Sequence, residues 1–449
     1  MTAGDDRASD GRAYARPEAR PVTRLASVRS GAPKGSDARA DNGGVSVQQL
    51  ATDVLVARQP ILDGALRVAG YELLFRGADG ASADVIGAER ATSRVIVDAI
   101  GELGLDRLTG ARPAWVNVSR ELLLAVRPLP LPPDRLVLEL LEDQHVDDQL
   151  VGVARELVAD GFTLALDDFV YDPAYEPLLD IVQFVKVDVL ALGRDATLEQ
   201  VARLRGRGLR LVAEKVETHD DFGFWRDAGF DLFQGYFYAR PELMRGRGVA
   251  GDRLGTVATL AELQRASGCF ERLEEAIGRD VGLSYKLVRY ANSAFTAMRT
   301  PVGSVRDALV RLGTRTVQQW ATVLALAGVQ GRPHELIVTA LLRARTCQLL
   351  AGDDDHAHSD RAFATGLFSV LDALLDASMD EILDALPLDA AVDAALRHRG
   401  GTEGALLAAV LAHEAGAPPP DDSPVDAPAV GAAYREALGW TQDVAAALA

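Results

Sequence analysis

The sequence predicts an α/β barrel of eight strand–helix units, followed by an all-α domain. Three observations carry this. The chain has 449 residues, too many for one ordinary core and suited to two. From Val54 to about residue 243, short apolar runs alternate with helix-like stretches, the pattern of βα units. Beyond about residue 253 the strand signals stop and apolar residues recur at helical spacing.

Residues 1–48 are rich in Ala, Arg, Gly, Ser and Asp without an apolar period, and read as a disordered, solvated tail. The barrel candidate spans 53–243. Its strands are expected at Val54–Arg58, Ala69–Phe75, Ala114–Val118, Arg135–Leu141, Thr163–Phe169, Phe184–Val189, Arg210–Val216 and Leu232–Tyr238. Helices are expected between most of them, at Ala83–Leu103, Asp147–Asp160, Leu198–Arg207 and Asp220–Ala228. This density suits a small closed (β/α)8 barrel of the TIM type with parallel strands. A doubly wound open sheet is the alternative, although no G-x-G-x-x-G turn supports it.

Residues 244–253, rich in Gly and Arg, read as a linker. Helical spacing then marks a domain over 254–415, with segments such as Gly282–Ala291, Ser304–Leu312, Thr316–Ala327 and His334–Leu349. Residues 416–449 hold a loop with Pro418, Pro419, Pro420, Pro424 and Pro428, then a last helix near Tyr434–Leu448.

Composition narrows the function. Apolar residues at 48% and charged residues at 25% are ordinary for a soluble globular protein. A net charge of −18 disfavours a nucleic-acid polymer as partner. A compact anion would need metal ions or local Arg and Lys groups to hold it. Cys269 and Cys347 are too few for a disulfide framework. No signal-peptide core is present, and the longest apolar run, Trp320–Val329, is too short for a membrane span. A cytoplasmic protein is expected.

In a parallel barrel, functional groups belong at the C-terminal ends of the strands. There stand Glu72, Asn117, Glu139, Glu142, Asp167, Asp168, Lys186, Asp188, Glu214, Glu217 and Gln234. Taken singly, Glu72 or Asn117 reads as a solvated or helix-capping group, and Gln234-Gly235 as a turn. Their recurrence on successive strands is what argues for a site. Closing the barrel would crowd the carboxylates, and hard divalent cations such as Mg²⁺ or Mn²⁺ relieve such crowding. Two such ions about 4 Å apart form the clamp that hydrolyses phosphodiesters.

This set, with Glu72-Leu73-Leu74-Phe75-Arg76 in the frame Glu-x-Leu-x-Arg, resembles the EAL family of cyclic-di-GMP phosphodiesterases over about residues 53–243. The resemblance implies a (β/α)8 barrel and cyclic-di-GMP as ligand. It implies Glu72, Asn117, Glu139 and Asp167 as metal ligands. Asp168 and Glu217 would complete the metal and water shell, and Lys186 would assist the attacking water. Arg76, Glu142, Glu214 and Gln234 would support ligand and site. One segment departs from the family. A Gly-Thr-Gly-Tyr-Ser-Ser loop is usual after the paired aspartates, and Phe169-Val170-Tyr171-Asp172-Pro173-Ala174-Tyr175 stands here instead. Leu141 also replaces the threonine expected two residues after Glu139.

The second half carries Asp280-Val281-Gly282-Leu283, then Lys286 to Ala294, then Ala308 to Gly313. It resembles the HDOD family, helical output modules without the metal dyad of HD hydrolases. Asn292-Ser293 is expected to cap or turn between helices. His356 and His358, after Asp353-Asp354-Asp355, are expected in a solvated loop. An EAL-like barrel followed by HDOD implies a signal-transduction protein, a protein partner at the HDOD half and the option of a homodimer. Two functions follow. One is an enzyme converting cyclic-di-GMP to linear pGpG through metal-activated water. The other is an inactive sensor or interaction scaffold.

Overall fold

A computed structural model describes residues 54–77, 104–125, 131–141, 145–239, 251–292, 301–329, 331–352 and 354–448. The expected tail, the helix at Ala83–Leu103, most of the linker, Glu142, Ser293 and the Arg76 side chain lie outside that description. Among the described residues, strands β1 (Val54–Asp63), β2 (Val68–Gly77), β3 (Ala114–Val118), β4 (Leu136–Leu140), β5 (Thr163–Leu166), β6 (Phe184–Asp188), β7 (Arg210–Glu214) and β8 (Leu232–Gln234) close into a barrel in sequence order.

One strand corrects the parallel expectation. β1 runs antiparallel to both of its neighbours, β2 and β8, whereas β2 through β8 pair in parallel. The cause is local. A four-residue turn, Gly64–Arg67, joins β1 to β2, and the Asp63 carboxylate accepts the backbone N–H groups of Ala65 and Arg67. A connection that short makes a hairpin and leaves no room for a crossover helix.

The remaining βα units follow the expectation. Asp147 caps the helix Asp148–Ala159 through Leu150 N–H, and that helix buries Leu150, Val151, Ala154 and Leu157. Thr218 caps His219–Ala228 through Asp221 N–H, and Gly229 ends it in the left-handed region.

Among the described residues between Gly251 and Leu448, every regular element is a helix. The two helices expected at Ser304–Leu312 and Thr316–Ala327 form one element, Val305–Ala327, broken at Gly313, where φ is 83° and ψ 159°. Asn292 does bracket two segments: its side chain donates to Val288 and Val302 carbonyls and accepts Val302 N–H at 2.6 Å. His356 and His358 are not in a loop. They open the helix His356–Phe368, capped by Asp355, and His358 Nδ1 lies 3.1 Å from Glu403. The acidic run hid an N-cap.

The helices pack directly on the barrel. Helix Ala427–Leu448 lies against β1, and helix Gly401–Glu414 also touches it. Helix His334–Ala351 presents Glu335, Thr339 and Arg343, four residues apart and all buried, as one polar stripe along its first half. Tyr71 donates to Glu335 at 2.9 Å, and Arg343 pairs with Glu414 at 2.7 Å.

Burial pushes the Glu335 carboxyl up to about 6 against the pull of Arg58 and the Tyr71 hydroxyl. A folded-state value above the unfolded one favours the protonated form. Its stabilisation is therefore complete below the ordinary glutamate range and is lost as pH rises through about 6. The expected cost at neutral pH is about 2 kcal/mol. Relative to wild type, Glu335→Gln should gain about that much stability between pH 4.5 and 7, read by denaturant unfolding across the range. A pH-independent difference would show that Glu335 is ionised throughout.

Candidate active site

The barrel interior is layered. Ile61, Trp115, Val137, Ala165, Phe184, Val212 and Leu232 form an apolar plug separate from the main core. Side chains alternate across a strand, so the residue two places on faces the same interior. Two places beyond Trp115, Val137, Ala165, Phe184, Val212 and Leu232 stand Asn117, Glu139, Asp167, Lys186, Glu214 and Gln234. On β1, running the other way, the equivalent step from Ile61 reaches Gln59. Glu72, in register with Gln59 and Trp115, completes the layer.

Lys186 is the centre of that layer. Its ammonium lies 2.7 Å from Glu139, 2.7 Å from Asp167, 2.9 Å from Glu214 and 3.5 Å from Glu72. Lys186 is 1% exposed and Glu139 is fully buried. The Glu72 carboxylate is held at both oxygens, by Asn117 Nδ2 at 3.3 Å and by Gln234 Nε2 at 2.6 Å. Gln234 Nε2 also donates to Gln59 at 2.7 Å.

Burial alone would lower the Lys186 ammonium, but Glu139, Glu214, Glu72 and Asp167 overcome it and hold the group well above its usual range. It therefore stays protonated. Burial raises Glu139 well above the usual carboxylate range despite Lys186, with Glu72 and Asp167 adding to the rise. Glu214 is pushed to about 8 by burial, against Lys186 and with Asp167. The electrostatics thus describe four carboxylates sharing one cation.

Three buried acceptors in this layer, Asn117 Oδ1, Glu139 Oε2 and Gln234 Oε1, meet no hydrogen-bond donor of the protein. Such oxygens beside surplus carboxylates are the donor set of a hard divalent cation, so the residues fit one. Among the described residues, no three Asp, Glu, His or Cys side chains already converge on a ready coordination point. Lys186 Nζ stands between the carboxylates instead.

The rim is built from strained positions. Asp168, directly after Asp167, takes φ 41° and is half-buried. Burial and the Asp167 charge raise its carboxyl. Lys215 takes φ 56° and pairs with Asp188, which also caps the turn at Leu190 and Ala191. Burial would raise Asp188, but that ammonium and Ala191 N–H draw it below its usual range. Gly235 has φ 146°, and a Cβ there would sit 2.1 Å from the Val216 carbonyl oxygen, so only glycine lets β8 leave the barrel.

Of the residues singled out in the sequence, Glu72, Asn117, Glu139, Asp167, Lys186, Glu214 and Gln234 share the buried layer. Asp168 stands at the rim, and Glu217 is exposed on the segment after β7. Glu142 and the Arg76 side chain are outside the described residues. Sequence reasoning singled out Asp188 but missed its partner Lys215, and it missed Gln59. Gln59 carried a signal, since it stands two residues from Ile61 on an interior-facing strand.

The rebuilt segment after Asp168 is tied down. Pro173–Tyr175 forms a 3-10 turn capped by Asp172, followed by the helix Glu176–Leu179. Tyr171 N–H donates to Gln200 at 2.9 Å, and the Tyr171 hydroxyl donates to Glu176 at 2.7 Å. Arg207 grips Glu176 with two hydrogen bonds, and the Phe169 and Tyr175 rings meet edge to face at 5.6 Å.

Known proteins resemble this chain along both halves. The EAL domain model matches residues 112–241 and the HDOD domain model residues 256–414. Glu72 and Arg76 lie ahead of the first match. A Vibrio cholerae protein named cyclic di-GMP phosphodiesterase CdgJ is 40% identical over 357 residues, covering 78% of this chain and 83% of that one. YuxH of Bacillus subtilis, an uncharacterized protein, is 31% identical over 76% of this chain and 86% of its own. Among solved structures, the calcium and cy-diGMP complex of Klebsiella pneumoniae BlrP1 aligns with 42% of this chain and 56% of its own, at 25% identity and a TM-score of 0.35.

Proposed function

We propose, since this chain belongs to the EAL–HDOD family of bacterial signal-transduction proteins, that its barrel binds cyclic-di-GMP and hydrolyses one phosphodiester to give linear pGpG. The observation that carries this is the buried layer of four carboxylates and two amides around one lysine. Glu72, Asn117, Glu139 and Asp167, with Asp168 at the rim, would hold divalent cations, Mg²⁺ or Mn²⁺. When bound, such ions lower the pKa of coordinated water and neutralise phosphate charge.

The chain's own residues do the rest. Gln234 and Asn117 fix the Glu72 carboxylate from both sides. Lys186, kept protonated by the carboxylates around it, holds Glu139, Asp167 and Glu214 together, and would turn an N–H to an attacking water where a bound cation takes over one of those carboxylates. Glu214, raised to about 8, is a site where a proton can rest near neutral pH. Asp168 and Glu217 would complete the water shell. The HDOD half would act as the regulatory or output module toward a protein partner, in the cytoplasm.

Calorimetry with cyclic-di-GMP, with and without Mn²⁺, tests the ligand: binding that requires or is tightened by metal is expected. Absence of binding at high micromolar nucleotide in both conditions would overturn it. A second reading, a sensor without turnover, is favoured by the tied-down segment Phe169–Leu179, which has little freedom to rearrange around Asp168. Replacing residues 170–176 with a Gly-Thr-Gly-Tyr-Ser-Ser loop is expected to raise kcat several-fold while KM changes by less than about twofold. Equal kcat in both versions would show that the segment does not limit the rate.

A further inference from the structure

The polar groups that dock the helices onto the barrel are sequence neighbours of the site layer. Arg58 precedes Gln59, and Tyr71 precedes Glu72. Alternation along a strand sends one of each pair inward to the site and the other outward to the helices. Tyr238 follows Gln234 by four residues and reaches Thr339.

The outward members form one network. The Tyr71 hydroxyl donates to Glu335 Oε2 at 2.9 Å. The Arg58 guanidinium lies 4.3 Å over the Tyr71 ring and donates to the Leu108 carbonyl at 2.7 Å. All three residues are buried. The inward members form the other network, in which Gln59 and Glu72 share the Gln234 amide.

β2 needs this anchor. It pairs with β3 over two residues only, Tyr71 opposite Ala114 and Glu72 opposite Trp115. Past Glu72 its parallel side has no ladder, so its backbone there is held by β1 and by side-chain contacts, Tyr71 to Glu335 among them. A cavity of about 30 Å³, close to one water, separates Gln59 and Pro60 from Glu335 and Thr339. The seam is thus not fully packed beside Glu335, the residue that accepts from Tyr71.

We infer that Tyr71 and Glu335 are positioning residues: through their hydrogen bond the helical domain fixes β2, and with it the Glu72 carboxylate, for the divalent cation. The inference rests on the functional reading above. It makes the helical half part of the support of the barrel site rather than an appendage to it, and anything that shifts the helix His334–Ala351 would shift the site.

The test uses the full chain. Mn²⁺ binding is followed by electron paramagnetic resonance, and nucleotide turnover in parallel, for Tyr71→Phe, Glu335→Ala and Glu335→Gln. Ile277→Val, a buried change in the helix Phe270–Gly278 away from the seam, is the control for general destabilisation. Tyr71→Phe and Glu335→Ala are expected to weaken Mn²⁺ binding about tenfold, the usual effect of losing a group that orients a ligand. Glu335→Gln keeps an acceptor for the hydroxyl and should stay within about twofold of wild type. Ile277→Val should lower stability without touching Mn²⁺ affinity. Should Glu335→Ala fail to fold, Tyr71→Phe, which keeps the ring and its packing, decides. Mn²⁺ affinity unchanged in Tyr71→Phe, or weakened equally in Ile277→Val, overturns the inference. A wild-type chain that takes up no Mn²⁺ defeats the functional reading, and the inference falls with it.

Discussion

Lys186→Met should cost about 3–5 kcal/mol of stability at neutral pH, the range for removing one partner of a buried ionic cluster. Methionine roughly keeps the volume and removes the ammonium that Glu72, Glu139, Asp167 and Glu214 share. The carboxylates then repel one another in a medium that solvates them poorly. Two further results follow. The loss should shrink as pH falls, because protonating the carboxylates removes the repulsion. Mn²⁺ should restore part of it, by about 2.7 kcal/mol at a hundred times its Kd. Denaturant unfolding with and without Mn²⁺ at several pH values reads all three. A variant as stable as wild type at pH 7 would mean that the four carboxylates are not held together by this cation.

Glu72→Ala should abolish turnover, by at least about 10²–10³-fold, the scale of losing one pre-organised polar group at a charge-bearing transition state. Glu72 is the node of the layer. Asn117 and Gln234 both spend their amide N–H groups on it, and Gln59 reaches the site only through Gln234. Its removal deletes one carboxylate and frees the amides of Asn117 and Gln234. An assay with Mg²⁺ and with Mn²⁺, wild type beside variant, separates the two functions. Hydrolysis lost in the variant establishes the enzyme. Tight nucleotide binding by a wild type that turns nothing over establishes the sensor. Equal hydrolysis in both proteins would place the chemistry elsewhere.

Much of this site was legible because burial and chemistry meet on the same strands. Thr163–Leu166 is apolar and runs straight into Asp167 and Asp168, and Leu136–Leu140 carries one charge, Glu139. A charge inside an apolar run marks a position that faces inward for a reason. Strand direction was harder to read, since an apolar run looks the same in either sense. The Asp63-Gly64 dipeptide was the available hairpin signal. The docking seam was hidden because its residues are ordinary in sequence: Glu335, Thr339 and Arg343 stand out only once the helix is known to be buried on all sides.

The antiparallel first strand also has a consequence in time. β1 takes β2 and β8 as neighbours, and the helix Ala427–Leu448 packs on it as well. During synthesis at about 5–20 residues per second, the partner strand at residues 232–234 leaves the ribosome on the order of ten seconds after β1, and the covering helix later still. Through that interval the nascent chain displays a hairpin with one open, apolar edge, the kind of surface that recruits other chains. The protein therefore depends on its late-made segments to protect its earliest one. Stop codons or proteolysis upstream of residue 427 should yield aggregation-prone products even when every residue of the site layer has been made.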